Sequence, residues 1–112
     1  AGHLFEQWIV LQLIAFNSYH KKGWTLYYYR DDQKTEIDVL IESESTIQAI
    51  EIKWGKKYKS QWKNSLETFS KQKINKKLEL FILYRGQHTL KDGTVLIMPF
   101  EKFLTDLERI GQ

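Results

Sequence analysis

Two runs of alternating residues, joined by three polar ones, constrain this chain more than any other feature. Thr35 to Glu42 sets Ile37, Val39 and Ile41 on one side and Glu36, Asp38 and Leu40 on the other. Thr46 to Trp54 sets Ile47, Ala49, Glu51 and Lys53 on one side and Gln48, Ile50, Ile52 and Trp54 on the other. A period of two predicts strands, and the short Ser43-Glu44-Ser45 connection predicts that they pair as a hairpin. With Glu44-Ser45 as a two-residue loop, Asp38 faces Glu51 and Glu36 faces Lys53. An odd loop would send Asp38 and Glu51 to opposite faces.

The rest of the chain supplies layers for that hairpin. Leu4, Trp8, Leu11 and Ala15 recur at helical spacing, joined by Phe5, Ile9 and Phe16, and predict an opening helix from about His3 to Tyr19. His20-Lys21-Lys22-Gly23 stops it, cations and glycine both suiting a helix C-terminus. Trp24 to Arg30, with three consecutive tyrosines, predicts a first strand. Its aromatics are expected to be core more often than a platform for bases. Ser60 is a plausible N-cap for a second helix carrying Trp62, Leu66 and Phe69 and fading near Lys76-Lys77. Leu78 to Tyr84 reads as a central strand covered on both faces. Arg85 to Gly93 reads as a polar connection. Val95 to Met98 predicts a short strand stopped by Pro99, and Phe100 to Ile110 a closing helix with Phe103, Leu104, Leu107 and Ile110 inward. The expected order is α-β-β-β-α-β-β-α: one α/β domain over residues 1–112, a central sheet with helices on its faces.

Charge then appears where the strand pattern expects apolar residues. Glu51 and Lys53 continue the face begun by Ile47 and Ala49, and Asp38 interrupts the run from Ile37 to Ile41. Charges so placed are costly unless paired or bound to a cation. Opposed residues point to one side, so the two carboxylates would lie about 5 Å apart, where like charges repel unless neutralised. A hard divalent cation, Mg²⁺ or Mn²⁺, is one solution. Asp38, Glu51 and the backbone carbonyl of Ile52 would hold it, with Glu6 of the first helix adding a ligand directly or through water. Such a site suits phosphodiester hydrolysis, with Lys53 orienting or deprotonating water or neutralising charge that develops on phosphorus. The competing reading is a surface ion pair of Lys53 with Glu36 or Glu51, worth under about 1 kcal/mol. The acid-x-Lys tripeptide alone means little: Asp32-Gln33-Lys34 matches too and reads as a turn. Glu6 by itself has a second explanation, since an acid in a first helical turn favours the helix dipole.

Composition bounds the partners and excludes several chemistries. Cysteine is absent, which rules out disulfides, a thiolate nucleophile and a thiolate zinc site and suits a cytoplasmic location. His3, His20 and His88 have no zinc spacing, and no G-x-S-x-G occurs. No apolar run is long enough to span a membrane. The net charge is +3, and fourteen of the seventeen basic residues are lysines. Lys56, Lys57, Lys59 and Lys63, with Lys71, Lys73, Lys76 and Lys77 beyond them, crowd one central stretch. They could follow a nucleic-acid backbone or form a solvated helix face. DNA is the expected partner, and a homodimer is possible through an edge strand or the closing helix.

Asp38, Glu51 and Lys53 resemble the PD-(D/E)XK, or restriction endonuclease-like, superfamily. Its core runs α-β-β-β-α-β, with an acid on the second strand and a (D/E)-x-K triplet on the third. Asp38 matches the first acid, Glu51 and Lys53 the triplet, and Glu6 the acid often found on the first helix. Gly2-His3-Leu4-Phe5-Glu6, Leu26-Tyr27-Tyr28-Tyr29-Arg30, Glu36-Ile37-Asp38-Val39, Ile50-Glu51-Ile52-Lys53 and Leu66-x-x-Phe69 are similar to a narrower group: the domain of unknown function at the C-terminus of many prokaryotic AAA+-type P-loop ATPases. The resemblance implies the nuclease-like fold with a further short strand and closing helix. It implies a metal-dependent deoxyribonuclease, or a non-catalytic C-terminal module that grips nucleic acid or protein, or a structural cap with a relic site. It also implies excision from a longer ATPase, whose ATPase domain would be a partner. Ile37 stands where the superfamily motif has Pro, and no nuclease helix motif is assigned to Gln61 and Ser65.

Overall fold

Nineteen residues without a lysine or arginine open the chain as helix α1 (Gly2–His20). The computed structural model describes the backbone of residues 1–110 and the side chains of residues 1–107, so the expected inward place of Ile110 lies outside the described side chains. The helix stops where Lys21 turns left-handed, with φ 51°, and Lys22 N–H donates back to Asn17 O at 3.1 Å. The left-handed stop is therefore Lys21 itself; Gly23, expected in that role, turns left-handed two residues later. Phe5, Ile9 and Leu13 are the buried stripe, while Leu4, Trp8 and Leu11 face outward. Both stripes are apolar at helical spacing, so periodicity alone does not choose between them.

Strands β1 (Thr25–Arg30), β2 (Glu36–Glu42) and β3 (Thr46–Ile52) form an antiparallel meander. The β2–β3 register runs from Glu42↔Ile47 to Val39↔Ile50, and Ser43 N–H donates to Thr46 O across the Glu44-Ser45 loop. The two-residue loop and its register are as expected. The strict alternation of β2 is not. Tyr27 pairs with Leu40 but Tyr29 with Ile37, so two residues of β2, Asp38 and Val39, oppose Tyr28 alone. This β-bulge puts Ile37 in the same core as Leu40, and Val39 in the opposite core with Ile41.

A 3₁₀ turn (Ser60–Lys63) leads into α2 (Asn64–Ser70), which is much shorter than the expected helix. Residues 71–76 offer only Ile74 as an apolar anchor, and a helix without a face to bury is marginal in water. The expected cap is also displaced: Ser60 is the first residue of the 3₁₀ turn, and Lys59, at the cap position, makes no side-chain cap bond. Strand β4 (Lys77–Tyr84) then pairs parallel with β3 from Thr46↔Lys77 to Ile52↔Leu83. The polar connection contains a strand that pattern reading overlooks, β5 (Leu90–Asp92), turned at Gly93 with φ 62° into β6 (Val95–Pro99). An Asp-Gly turn signal was present, but a three-residue strand carries no alternation to see. Tyr58 Oη and Lys63 Nζ fasten β5 by donating to Asp92 at 2.8 and 2.9 Å. Helix α3 (Phe100–Ile110) closes the chain. The sheet order is β1-β2-β3-β4-β6-β5, giving a mixed α/β fold of order α-β-β-β-α-β-β-β-α.

Two apolar layers flank the sheet. On one face α1 and α3 bury Phe5, Ile9, Leu13, Phe103 and Leu107 against Val39, Ile50, Ile52 and Leu83; on the other α2 buries Leu66 and Phe69 against Leu40, Ala49, Leu80 and Ile82. Each fully buried large aliphatic side chain contributes about 1.5–3 kcal/mol of transfer free energy. The tyrosine strand lies at the sheet edge: Trp24, Leu26 and Tyr29 pack against the cores as expected, while Tyr27 and Tyr28 are exposed, which corrects the expectation for those two. Gly86 follows β4 in a tight spot: a Cβ there would overlap the ring of buried Tyr84, whose hydroxyl donates to His88 O at 2.6 Å. Gly86→Ala is therefore expected to destabilise the protein by about 1–3 kcal/mol, read as a lower urea midpoint at unchanged slope. An unchanged midpoint would show that the ring can move aside.

Candidate metal centre

The β2–β3 ladder ends one residue pair before its sequence does. Beyond Val39↔Ile50 the next pair is Asp38 and Glu51, and here side chains replace carbonyls as acceptors. Asp38 N–H donates to Glu51 Oε1 at 2.9 Å, and Ile52 N–H donates to Asp38 Oδ2 at 2.7 Å. Each carboxyl thus bonds the other strand's backbone with one oxygen. The strands part behind this last rung, as the forked end of a sheet.

The bulge decides where Asp38 goes. It lines a cleft of about 440 Å³ with Glu6, Gln7, Val10, Leu11 and Tyr28, on the α1 side of the sheet. Alternation alone predicts the α2 side, with Leu40. Glu6 lines the same cleft from α1, close enough to Asp38 for the charge of one carboxyl to act on the other. Lys53 Nζ stands 3.8 Å from Glu51 Oε2 and is one-third exposed. The three acids expected from sequence are therefore brought together, with the lysine beside them. The bland alternative, Lys53 paired with Glu51 alone, describes only one contact of this group, and Glu36 pairs instead with Arg30 at 3.6 Å.

Burial dominates the electrostatics. Glu51 is 6% exposed, and its carboxyl is pushed up to about 8, first by desolvation and then by the charge of Asp38. Asp38 is also raised by burial, against the lowering effects of the Ile52 N–H and Lys53. Glu6 is raised by burial and then by Asp38. Anionic carboxylates crowded in a low-dielectric fork invite a proton or a cation.

The donor set fits a small hard cation. Among the described residues no three His, Asp or Glu side chains are grouped as metal ligands. Magnesium, however, uses one or two carboxylates and completes its octahedron with waters and substrate oxygens. A strand residue turns its N–H and C=O to the same neighbour. Ile52 N–H meets Asp38 on the β2 side, so its carbonyl is aimed into the fork, while Lys53 N–H turns to Leu83 O on β4 at 2.8 Å.

The lysine stretch divides. Lys56, Lys57 and Lys59 are exposed, whereas Lys63 is committed to Asp92 and Lys76 to Glu42 at 2.8 Å. Pattern reading missed Tyr28, which lines the acid cleft, and Arg85, whose guanidinium lies 3.5 Å from the Trp54 ring centroid. Tyr28 is visible as one of three tyrosines but not as the one that faces the cleft; Arg85 carries no signal beyond its charge. A further cleft of about 320 Å³ lies between α1 and α3, lined by Gln12, Phe16, Leu104, Thr105 and Leu107 without a charged side chain.

A family model described as Domain of unknown function (DUF4143) matches residues 1–103. No curated protein matches the chain. No helix among the described residues is long and apolar enough to cross a membrane.

Proposed function

Since the chain belongs to the DUF4143 family of domains of unknown function, we propose that its forked sheet end is a PD-(D/E)XK-type centre for metal-dependent hydrolysis of DNA phosphodiesters. One observation carries this reading: two adjacent carboxyls, Glu51 buried and Asp38 half-buried on a cleft, both raised, each bonding the opposite strand with only one of its oxygens in that exchange. Stability alone gives no reason to keep them, because an apolar pair would fill the fork at lower cost.

Asp38, Glu51 and the Ile52 carbonyl would hold Mg²⁺ or Mn²⁺, with Glu6 acting on Asp38 or through a water. The cation supplies charge to polarise a phosphodiester and to acidify water. Bonds to the two backbone amides hold both carboxyls in place, so they need little reorganisation when they act. Lys53, from the next position on the strand, presents its ammonium to an attacking water or to charge developing on phosphorus. α1 covers one side of the cleft and limits access from that face.

The exposed Lys56, Lys57 and Lys59 favour a second reading, a DNA-binding module that no longer cuts. In either case the resemblance to C-terminal domains of P-loop ATPases makes an ATPase domain of the same parent chain the proposed partner. The test is a titration of the purified domain with Mn²⁺, followed by electron paramagnetic resonance, alongside cleavage of single-stranded, duplex and branched DNA. Metal binding and cleavage are expected in the wild type and neither in Asp38→Ala; Lys53→Ala is expected to bind metal and cut poorly. DNA binding with no cleavage of any substrate would leave the second reading.

A further inference from the structure

The carboxyl ends of β3 and β4 stay joined after the strands stop. Arg85 N–H donates to Gly55 O at 3.1 Å, and Arg85 Nε donates to Trp54 O. The guanidinium carbon lies 3.5 Å from the centroid of the Trp54 indole, which Phe5 of α1 meets edge-on at 5.3 Å. One face of Trp54 is thus covered by Arg85, so the indole supports the arginine and is not an open platform for a base. The indole contact and the Nε bond hold the guanidinium and leave its terminal amino groups for an acceptor, the fork that matches two oxygens of a phosphate.

Among the described residues Arg85 has no carboxylate partner, and neither has Lys56. Both line a cleft of about 370 Å³ with Gly86, Gln87 and His88. Its floor is held by the Tyr84 hydroxyl on His88 O and by Gly86 against the Tyr84 ring. Trp54 directly follows Lys53, so the cleft and the acid fork lie at the same carboxyl end of β3, the edge of parallel strands where open α/β sheets place ligands.

We propose that Arg85, propped by Trp54 and joined by Lys56, is a subsite for a backbone phosphate of the nucleic-acid strand, next to the phosphate placed at the acids. It rests on nucleic acid being the ligand of the neighbouring fork. Arg85 binds the phosphate, and Trp54 is a positioning residue. The subsite sets the strand's register over Asp38 and Glu51 without reading sequence, as phosphate contacts do.

The test is fluorescence anisotropy with labelled single-stranded and duplex DNA 20-mers over a salt series in EDTA, with metal-dependent cleavage assayed in parallel. Arg85→Ala is expected to weaken single-strand binding about tenfold and to flatten the salt dependence by roughly 0.7 in log–log slope, one phosphate contact. Arg85→Lys should restore the slope but only part of the affinity, and Trp54→Ala should weaken binding with the slope retained. Lys77→Ala, at the opposite end of β4, is the control for net charge and should change little. Arg85→Ala binding like wild type, or Lys77→Ala losing as much, overturns the subsite while leaving the acid centre standing. Arg85-dependent binding with no cleavage by the wild type overturns hydrolysis and keeps the subsite. A wild type that binds neither 20-mer overturns both.

Discussion

Glu51→Gln is expected to abolish metal-dependent cleavage and, in the same protein, to stabilise the metal-free fold at pH 8 by on the order of 3 kcal/mol. The gain follows from burial. Unfolded, Glu51 titrates near the ordinary 4.5; folded, it is pushed up to about 8 by desolvation and then by Asp38. Between those values the native state holds a proton that the unfolded state has lost, so native stability falls as pH rises. The contribution is complete below pH 4.5 and gone above pH 8. Glutamine keeps an acceptor for Asp38 N–H and has nothing to titrate. Urea denaturation of wild type and variant at several pH values in EDTA should show a downward slope that is steep in the wild type and shallow in Glu51→Gln. Mn²⁺ should act oppositely, stabilising the wild type more as pH rises, because it binds the deprotonated carboxyls. Parallel slopes for the two proteins would mean that Glu51 ionises freely in the fold, and the electrostatic basis of the proposed site would go with it.

Leu83→Ala is expected to cost about 3–4 kcal/mol and to lower the melting temperature by roughly 15–20 °C. Leu83 is fully buried on central strand β4, opposite Ile52 across the parallel pairing, and its carbonyl receives Lys53 N–H. Truncation would open a cavity under the residues that carry the acid fork, and the surrounding strands are hydrogen-bonded on both sides and cannot close it. The comparison that gives the number meaning is Leu11→Ala on α1, where the side chain is 60% exposed and the change should stay within about 0.5 kcal/mol. Thermal melts followed by circular dichroism measure both. Equal losses at the two sites would contradict the assignment of buried and outward faces.

The register of the β2–β3 hairpin was legible because a two-residue loop leaves few pairings and only one puts both apolar faces inward. That brought Asp38, Glu51 and Lys53 to one end of the sheet. The face taken by Asp38 was not legible, because the bulge arises from the pairing of β2 with tyrosines ten residues earlier. Nothing in Ile37-Asp38-Val39 signals it. Strand β5 was hidden for a different reason: Leu90-Lys91-Asp92 holds one apolar residue and borrows its order from β6 and from Tyr58 and Lys63. The place of Arg85 required knowing that β3 and β4 run parallel and end level, a long-range fact that no local pattern around residue 85 contains.

The bulge makes the aim of Asp38 a joint property of two strands. β2 keeps step with β3 through Val39 but carries one residue too many for β1. The acid is turned toward α1 by a mismatch in length, and the strand that sets the mismatch bears no acid of its own. A residue inserted between Tyr27 and Tyr29 would let β2 run straight and swing Asp38 away from Glu6 with every acid intact. A relative could thus keep all the expected letters and lose the centre through an indel in its tyrosine strand.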